Sequence, residues 1–588
     1  MAVIVTFPLV LKFMICIPGF ATTNEPYSAL WEFWRIKYSI CHHSSLMHTS
    51  FLAYPFGLDL HTEYLAYVWM DLIYVLSIIM KPAAAYNFQV LLNFILCGVV
   101  TYAAVYHVTR SRFSALLSGI TFAFCPYQFA RSWQHLGLTY NELIPLSLFA
   151  AIMLKEERTR QNIIFFIMSL LLLFSFDFSI MYLGMIAVAT FLVYVAAYNW
   201  RKKLYLERGL FVEDGKYFAC AAIAGAVTFM IVLPQFLPMI VKSAAASPSA
   251  VASGFNFYHR PFNDLFIQSA KPLSYLLPAT SHPVFGKFTE QFIGSSLYGV
   301  SYTEHALYLG WVPLALAFIA WRSWRRRGRS PDTRHQSPVK EIACTNDRFY
   351  IGFFVLLAIV AWAFSQPPYF TFPAFKIYMP SFFMYKILPM YRAYCRFGIV
   401  LMLAVAVLAG FGLKYVLARF LSRRVRIVVA GLACLLVLFE FFNFPPYKMV
   451  DLTHYPQVYN WLKAEKGEFA VAEYPLDTES PNEYYKFCQT IHEKKIINAT
   501  MPGTVANKLA RRMWRLSEPE TAHILRWMGV RYVIVHLDAY MKSEDEEWVD
   551  ESGKVKERRL PGLKLVQSYD TIDVYEVTAL PKEPVGYE

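Results

Sequence analysis

Apolar runs long enough to cross a bilayer follow one another along the first three quarters of the chain, with polar residues confined to the stretches between them. A helix needs about 20 mostly apolar residues to span the hydrocarbon core. The pattern predicts spans at 1–18, 87–108, 114–126, 141–154, 161–178, 179–199, 216–237, 305–321, 349–365, 397–418 and 427–444. Lysine and arginine gather in blocks at 155–160, 201–216, 322–340 and 419–426. Placing all four blocks in the cytoplasm gives a consistent alternation from residue 155 onward. Residues 64–80 are apolar enough for a further span, but they contain Asp71, and counting them puts Arg110 and Arg112 outside. A re-entrant or interfacial helix at 64–80 keeps the alternation, with about eleven spans. The N-terminus is then inside, and the outer loops are 19–86, 238–304 and 366–396.

The pattern changes at residue 445. Charge rises, and short alternating runs at 469–473 and 532–535 read as strands. A further pair at 563–568 and 572–577 flanks Tyr569-Asp570-Thr571 and reads as a hairpin. Helical patterns at 455–466 and 519–528 alternate with these strands. The expected architecture is an α-helical polytopic membrane domain over 1–444, followed by an extracytoplasmic, water-soluble α/β domain over 445–588.

Composition narrows the class. The 588 residues are 56% hydrophobic and 16% charged, whereas soluble domains run near ~25% charged. The 49 Phe, 39 Tyr and 13 Trp suit lipid-facing helices and interfacial belts. The net charge of +13 resides in blocks between apolar runs, which points to positive-inside loops and away from a nucleic-acid partner. Nine cysteines are scattered singly with no Cys-x-x-Cys pair, so neither a zinc ribbon nor a disulfide scaffold is expected. The apolar run 3–17 lacks a basic flank and a small-residue cleavage site, and reads as a first membrane helix, not as a cleaved signal. The lack of leading basic residues leaves open a natural start further upstream.

There is no P-loop, Gly-x-Gly-x-x-Gly, His-Glu-x-x-His or Asp-x-Asp, which argues against an ATP-driven pump and against a cytosolic type of nucleotide-sugar transferase. The densest set of reactive side chains lies in loop 19–86. It reads Asn24-Glu25-Pro26-Tyr27, then Trp31-Glu32-Phe33-Trp34-Arg35, then Tyr54-Pro55-Phe56-Gly57-Leu58-Asp59-Leu60-His61-Thr62-Glu63. A carboxylate flanked by aromatics at a membrane boundary is partly desolvated, which suits it to deprotonating an acceptor hydroxyl. Aromatic faces suit sugar rings, and Arg35 and Lys37 are placed to hold a lipid phosphate. The plainer alternative makes Trp31 and Trp34 belt residues and Glu25 a solvated loop charge.

Elsewhere His135, beside Gln134, reads as a hydrogen-bonding residue or an acid. Glu142 opens a span close to it in sequence, and Asp177 interrupts an apolar run. Arg392 and Arg396 head a helix from the outer face, where guanidinium groups bind phosphate or anchor headgroups. His282 is a candidate gate residue on loop 238–304, and Asn498-Ala499-Thr500 matches a glycosylation acceptor that chance also explains.

The order Glu-Pro-x4-Trp-x2-Trp followed by Tyr-Pro-x-Gly-x-x-Leu resembles a family of prokaryotic multi-spanning proteins related to GT-C glycosyltransferases. Members show Gly-Asp-x5-Trp-x2-Trp-Trp and then Tyr-Pro-x-Gly-x-Asn-Leu. Further landmarks occur in order: Pro126-Tyr-Gln-Phe-Ala130 before His135-Leu136, Leu307-Tyr-Leu-Gly310 before Pro313, Pro389-Met-Tyr-Arg392, Arg396-Phe397, and Met528-Gly-Val-Arg-Tyr-Val-Ile-Val535. The resemblance covers nearly the whole chain. It implies a GT-C-like fold, a sugar donor carried on polyprenyl phosphate, and an essential carboxylate in the first outer loop. The family's Asp falls on Glu25 and its Gly on Asn24. Glutamate keeps the carboxylate but moves it by one methylene, which a base tolerates better than a metal ligand does.

On this resemblance the chain is expected to move a sugar to a glycan, lipid-linked or protein acceptor at the outer face of the cytoplasmic membrane. Glu25 is expected as the general base or as the group that orients the acceptor. Arg35, Arg392 and Arg396 are expected at the donor phosphate, with His61, Glu63, His135 and Glu142 around the substrate. A divalent metal ion is the one cofactor left open. A non-catalytic scaffold of the same architecture and a lipid or polysaccharide transporter are the alternatives.

Overall fold

A computed structural model describes residues 2–19, 25–60, 78–203, 210–245, 259–327, 338–443, 449–476, 479–501, 504–542 and 546–584. The chain is predominantly helical and divides into two compact units. The first comprises Met1–Val10, Phe88–Phe236 and Tyr258–Tyr447; the second comprises Leu11–Asn87, Leu237–Phe257 and Lys448–Glu588.

Seven helices among the described residues are long and apolar enough to cross a membrane: Pro82–Thr109, Arg112–Gln134, Leu136–Glu156, Phe178–Trp200, Gly215–Pro234, Asn346–Ser365 and Tyr394–Leu417. The protein is a multi-pass membrane protein. The expected spans at 161–178, 305–321 and 427–444 correspond to the shorter helices Arg160–Ser175, Trp311–Arg327 and Arg423–Glu440. The expected first span at 1–18 is not one helix. It breaks into Ala2–Val5, a 3-10 turn Leu9–Lys12 and a strand Cys16–Pro18. Pro8 removes a donor and sterically blocks the preceding turn, and the strand pairs antiparallel with Met449–Asp451. Most of the expected re-entrant helix at 64–80 lies outside the described residues.

Helix Gly398–Leu417 is the axis of the first unit. All of its residues from 398 to 413 are buried, as expected of a helix that is apolar on every side. Gly410 and Gly412 bring neighbouring backbones close. A Cβ on Gly412 would stand 1.9 Å from the Leu316 carbonyl oxygen of helix Trp311–Arg327. On another side Ser118 Oγ donates to the Ala406 carbonyl at 2.7 Å, the type of interhelical bond that ties apolar helices together.

The second unit is built on a five-stranded mixed sheet: β1 Ala470–Tyr474, β2 Lys495–Ile496, β3 Val530–His536, β4 Leu563–Tyr569 and β5 Ile572–Val577, in the spatial order β4-β5-β3-β1-β2. Strand β1 runs parallel to both β2 and β3, while β5 is antiparallel to β3 and β4. All five β1 residues are buried, consistent with a central strand. The β4–β5 turn is Asp570-Thr571, with Asp570 at φ 47°, a left-handed position that Asp tolerates.

A boundary near 445 was expected from the charge pattern. One segment of this unit begins there, but the unit also takes in residues 11–87. Backbone bonds explain why. Ala53 N donates to Asn498 O at 3.0 Å, Tyr54 N to Ile496 O at 3.1 Å, and Ile496 N to Phe51 O at 2.9 Å. Residues 51–54 therefore satisfy the open edge of β2, which would otherwise present unpaired backbone groups.

Helix Glu479–His492 links β1 to β2 and ends on His492, which is 2% exposed and stacks on Tyr459 at 5.8 Å between ring centroids. Burial, with Lys494 adding repulsion, pushes the His492 imidazole down to about 3. The unfolded chain takes up a proton near pH 6.5 that the fold refuses, so this contribution is constant above that pH and lost below it. The loss reaches about 2 kcal/mol at pH 5. Melting temperatures at pH 7.5 and pH 5 should differ less in His492→Leu than in wild type. An unchanged difference would overturn the assignment.

Candidate functional site

In the first unit three polar ends of apolar helices converge on one carboxylate. Pro126 opens helix Pro126–Gln134, which carries Arg131; proline suits a helix start because its missing donor is not needed there. Ser301 caps the short turn Tyr302–His305 by accepting from Glu304 N at 3.3 Å. A 3-10 turn, Tyr394–Phe397, presents Arg396 immediately before Gly398.

Arg131 grips Glu304 with both nitrogens, Nη1 to Oε1 at 3.0 Å and Nη2 to Oε2 at 2.6 Å. Arg396 grips it from another side, Nη2 to Oε1 at 2.8 Å and Nε to Oε2 at 3.3 Å, and its Nη1 donates to Ser179 Oγ at 2.9 Å. Cys395 Sγ donates to Glu304 Oε2 at 3.3 Å. Burial works to raise the Glu304 carboxyl, but Arg131 and Arg396 outweigh it and hold the group well below the usual carboxylate range. Two guanidinium groups face one carboxylate, so the cluster keeps one positive charge in excess. The Arg131 guanidinium also lies 5.0 Å from the Tyr127 ring centroid. The buried Tyr127 and Tyr391 hydroxyls have no hydrogen-bond partner among the described residues. Arg396 is 19% exposed at its side chain, and Arg392, bonded to Asp264 at 3.1 Å, is 42% exposed.

Glu142 stands elsewhere in this unit, buried, with Cys97 Sγ donating to its Oε2 at 3.4 Å. The chain before it carries a polar network. Gln128 Nε2 donates to Thr139 O at 2.9 Å, Asn141 Nδ2 to Gln128 Oε1 at 2.5 Å, and Asn93 Nδ2 to Thr139 Oγ1 at 2.5 Å. His135 is half-buried at the C-terminal end of helix Pro126–Gln134. Asp177 caps the following helix, accepting from Ser179 N at 2.7 Å and Ile180 N at 3.3 Å. His282 bridges the Phe439 carbonyl through Nε2 at 2.9 Å while Nδ1 accepts from Val284 and Phe285. Its burial lowers the imidazole below its usual value, and the neutral Nε2–H tautomer satisfies all three bonds.

In the second unit Glu25 is the first residue of helix Glu25–Cys41 and is exposed, where the helix dipole favours a negative charge. The helix packs on Glu479–His492. Trp31 Nε1 donates to Gln489 Oε1 at 2.7 Å, and Lys486 Nζ donates to Ser28 Oγ at 2.7 Å. Arg35 is buried and bonded twice to Glu32 Oε2, at 3.0 and 2.8 Å, and to the Leu46 carbonyl at 3.0 Å. Asn498 is also buried, its amide clamped to both backbone groups of Glu473 at 2.9 and 2.7 Å, a poor position for a glycan. His61 and Glu63 lie outside the described residues. Among those described, no group of three or more His, Cys, Asp or Glu side chains could hold a metal ion.

No protein family and no curated protein matches the chain by sequence. Comparison of folds is informative. The arabinofuranosyltransferase AftD from Mycobacteria aligns over 98% of this chain at a TM-score of 0.53 and 14% identity. The chain has a GT-C-like fold. It covers 39% of the AftD chain, about two-fifths of that protein's length. Two other solved structures align at lower scores. ArnT from Cupriavidus metallidurans, bound to undecaprenyl phosphate, has 10% identity and a TM-score of 0.45, over 99% of this chain and 98% of its own. The oligosaccharyltransferase AglB from Archaeoglobus fulgidus, with an inhibitory peptide and a dolichol-phosphate, has 12% identity and a TM-score of 0.43, over 100% and 74%.

Within the GT-C-like fold, sequence reasoning singled out Arg396 but neither Glu304 nor Arg131, which lie 92 and 265 residues before it. The only local signal was Glu304 itself, an acid next to His305 just ahead of an apolar run.

Proposed function

We propose that the protein is a membrane glycosyltransferase of the GT-C type, moving a sugar from a polyprenyl-phosphate donor to a glycan, lipid-linked or protein acceptor at the outer face of the cytoplasmic membrane. The observation that carries this reading is the fold shared with an arabinofuranosyltransferase over nearly the whole chain. The sequence resemblance around Glu25 supports it. Fold alone does not fix chemistry, so the roles rest on individual residues.

Glu25 is exposed and takes the proton of the acceptor hydroxyl. The hydroxyl oxygen attacks the anomeric carbon, the bond from that carbon to the phosphate oxygen breaks, and the lipid phosphate leaves with the electron pair. Arg392, with its large exposed fraction, and Arg396, in the cluster with surplus positive charge, are suited to bind that phosphate. Arg35 is occupied by Glu32 and serves to hold its own helix. The sheet-bearing segments around 449–584 are water-exposed on the side where the transfer occurs.

The test compares wild type with Glu25→Gln in proteoliposomes supplied with radiolabelled polyprenyl-phosphate sugars. A general base contributes about 10²–10⁴-fold, so transfer should fall by about that factor while membrane insertion is unchanged. Equal transfer in both would remove Glu25 from the reaction. Absence of transfer by wild type from every donor would favour a scaffold of the same architecture.

A further inference from the structure

Residues 369–387, between spans Asn346–Ser365 and Tyr394–Leu417, carry none of the roles assigned above. They begin with a small hairpin, Tyr369–Thr371 paired antiparallel with Lys376–Tyr378, closed by Phe372 N donating to Phe375 O at 2.9 Å. Helix Pro380–Ile387 follows. Every residue from 370 to 378 is exposed, yet the exposed side chains are those of a protein core. Phe372 is 45%, Phe375 58% and Ile377 45% exposed, and on the helix Phe383 is 55% and Ile387 70% exposed.

The helix is oriented with purpose. Ser381 and Tyr385 lie on one buried face. Ser381 Oγ donates to Gln366 O at 3.0 Å, and the Tyr385 hydroxyl donates to the Arg260 carbonyl. The opposite face carries Phe383 and Ile387, where a helix facing water would carry charge. Residues 366–390 contain no Asp or Glu. Their two cations, Lys376 and Lys386, lie over the rings of Tyr369 at 4.8 Å and Phe382 at 4.6 Å. Lysine ammonium groups held over aromatic rings, with N–H donors left to meet phosphate, suit a headgroup boundary.

Chain length decides between lipid and another occupant. The hairpin starts at Tyr369, four residues after the span ending at Ser365. Four residues reach at most about 14 Å, so the hairpin begins within that distance of the end of the span, beside the bilayer surface. An apolar surface of this kind on a soluble protein signals a partner; here the bilayer is the surface already in reach.

We infer that 369–387 is an interfacial anchor. Phe372, Phe375, Phe383 and Ile387 insert at the headgroup–acyl boundary of a phospholipid leaflet, Lys376 and Lys386 meet its phosphates, and the segment leading to Arg392 is thereby held at fixed depth. This inference does not depend on the transferase reading.

The test places a nitroxide at Phe375→Cys in a background where Cys41, Cys220 and Cys344 are serine, in nanodiscs containing anionic phospholipid. Collisions with oxygen should exceed those with a water-soluble nickel chelate. Dominance of the chelate would show that the tip is in water. Protection from both would show that protein covers it, a second copy included, and either result overturns the inference. A second measurement moves the label to Ile387→Cys and adds Phe372→Ser and Phe375→Ser. The label should shift toward the water phase while the protein stays monodisperse, and an unchanged depth would overturn the anchoring role.

Discussion

Glu304→Ala is expected to destabilise the helical unit by about 3–5 kcal/mol, because it strands two buried guanidinium groups that now share one carboxylate. The Arg131 side chain is wholly buried, and Glu304 is its only charged partner in the cluster. Arg396 keeps Ser179 and a fraction of solvent exposure, so most of the penalty falls on Arg131. Glu304→Gln keeps the shape but not the charge and should lie between the two. Adding Arg131→Met to Glu304→Ala should recover part of the loss, since the uncompensated charge is then gone. Melting temperature in detergent, followed by tryptophan fluorescence, reports all of these. A Glu304→Ala protein within about 1 kcal/mol of wild type would show that water reaches the cluster and screens it.

Gly412→Val is expected to cost about 3 kcal/mol by overpacking. Helix Gly398–Leu417 passes helix Trp311–Arg327 so closely that the new Cβ would sit 1.9 Å from a backbone oxygen and 2.6 Å from its carbon. No side-chain rotation relieves a clash with backbone, so the two helices must separate, and the contacts along both are lost. Gly431 supplies the control. It lies within helix Arg423–Glu440 with nothing within 4 Å of a Cβ, and Gly431→Ala should be neutral or stabilising by up to about 1 kcal/mol. If the two substitutions shift the melting temperature equally, close approach at Gly412 is not what holds the helices.

The contrast between these residues shows what the sequence discloses. Helix Gly398–Leu417 was legible to within a residue at either end, because sixteen consecutive apolar or small residues, 398–413, admit only a buried helix. The β4–β5 hairpin was legible because two strand-like runs flank a single turn signal. Helix Arg112–Gln134 was read short, as a span over 114–126, because Pro126 does not end the apolar stretch but starts a further helix, Pro126–Gln134. Residues 1–18 misled for a different reason. Their apolarity fits a span, but Pro8 and the pairing of Cys16–Pro18 with Met449–Asp451 impose another course. The Glu304 cluster was invisible because its members are unremarkable one by one. Its meaning comes only from partners 173 and 92 residues away, and no local pattern encodes such pairs. Arg35 shows the converse. It has a local partner at i−3, Glu32, and that spacing could have suggested an internal pair before a phosphate.

The bond between Trp31 and Gln489 joins residues 458 positions apart. A ribosome adding about 5–20 residues per second needs about 25–90 s to travel from one to the other. For nearly all of that interval the helix bearing Glu25, which ends at Cys41, is already synthesised, while the surface it packs against in the second unit does not yet exist. Its seat is completed only after every membrane span has been synthesised, because helix Glu479–His492 and β2 come after them in the chain. The order of synthesis thus acts as a timer. A nascent or truncated chain can have its full set of apolar helices in place and still lack the seat for its first-loop carboxylate.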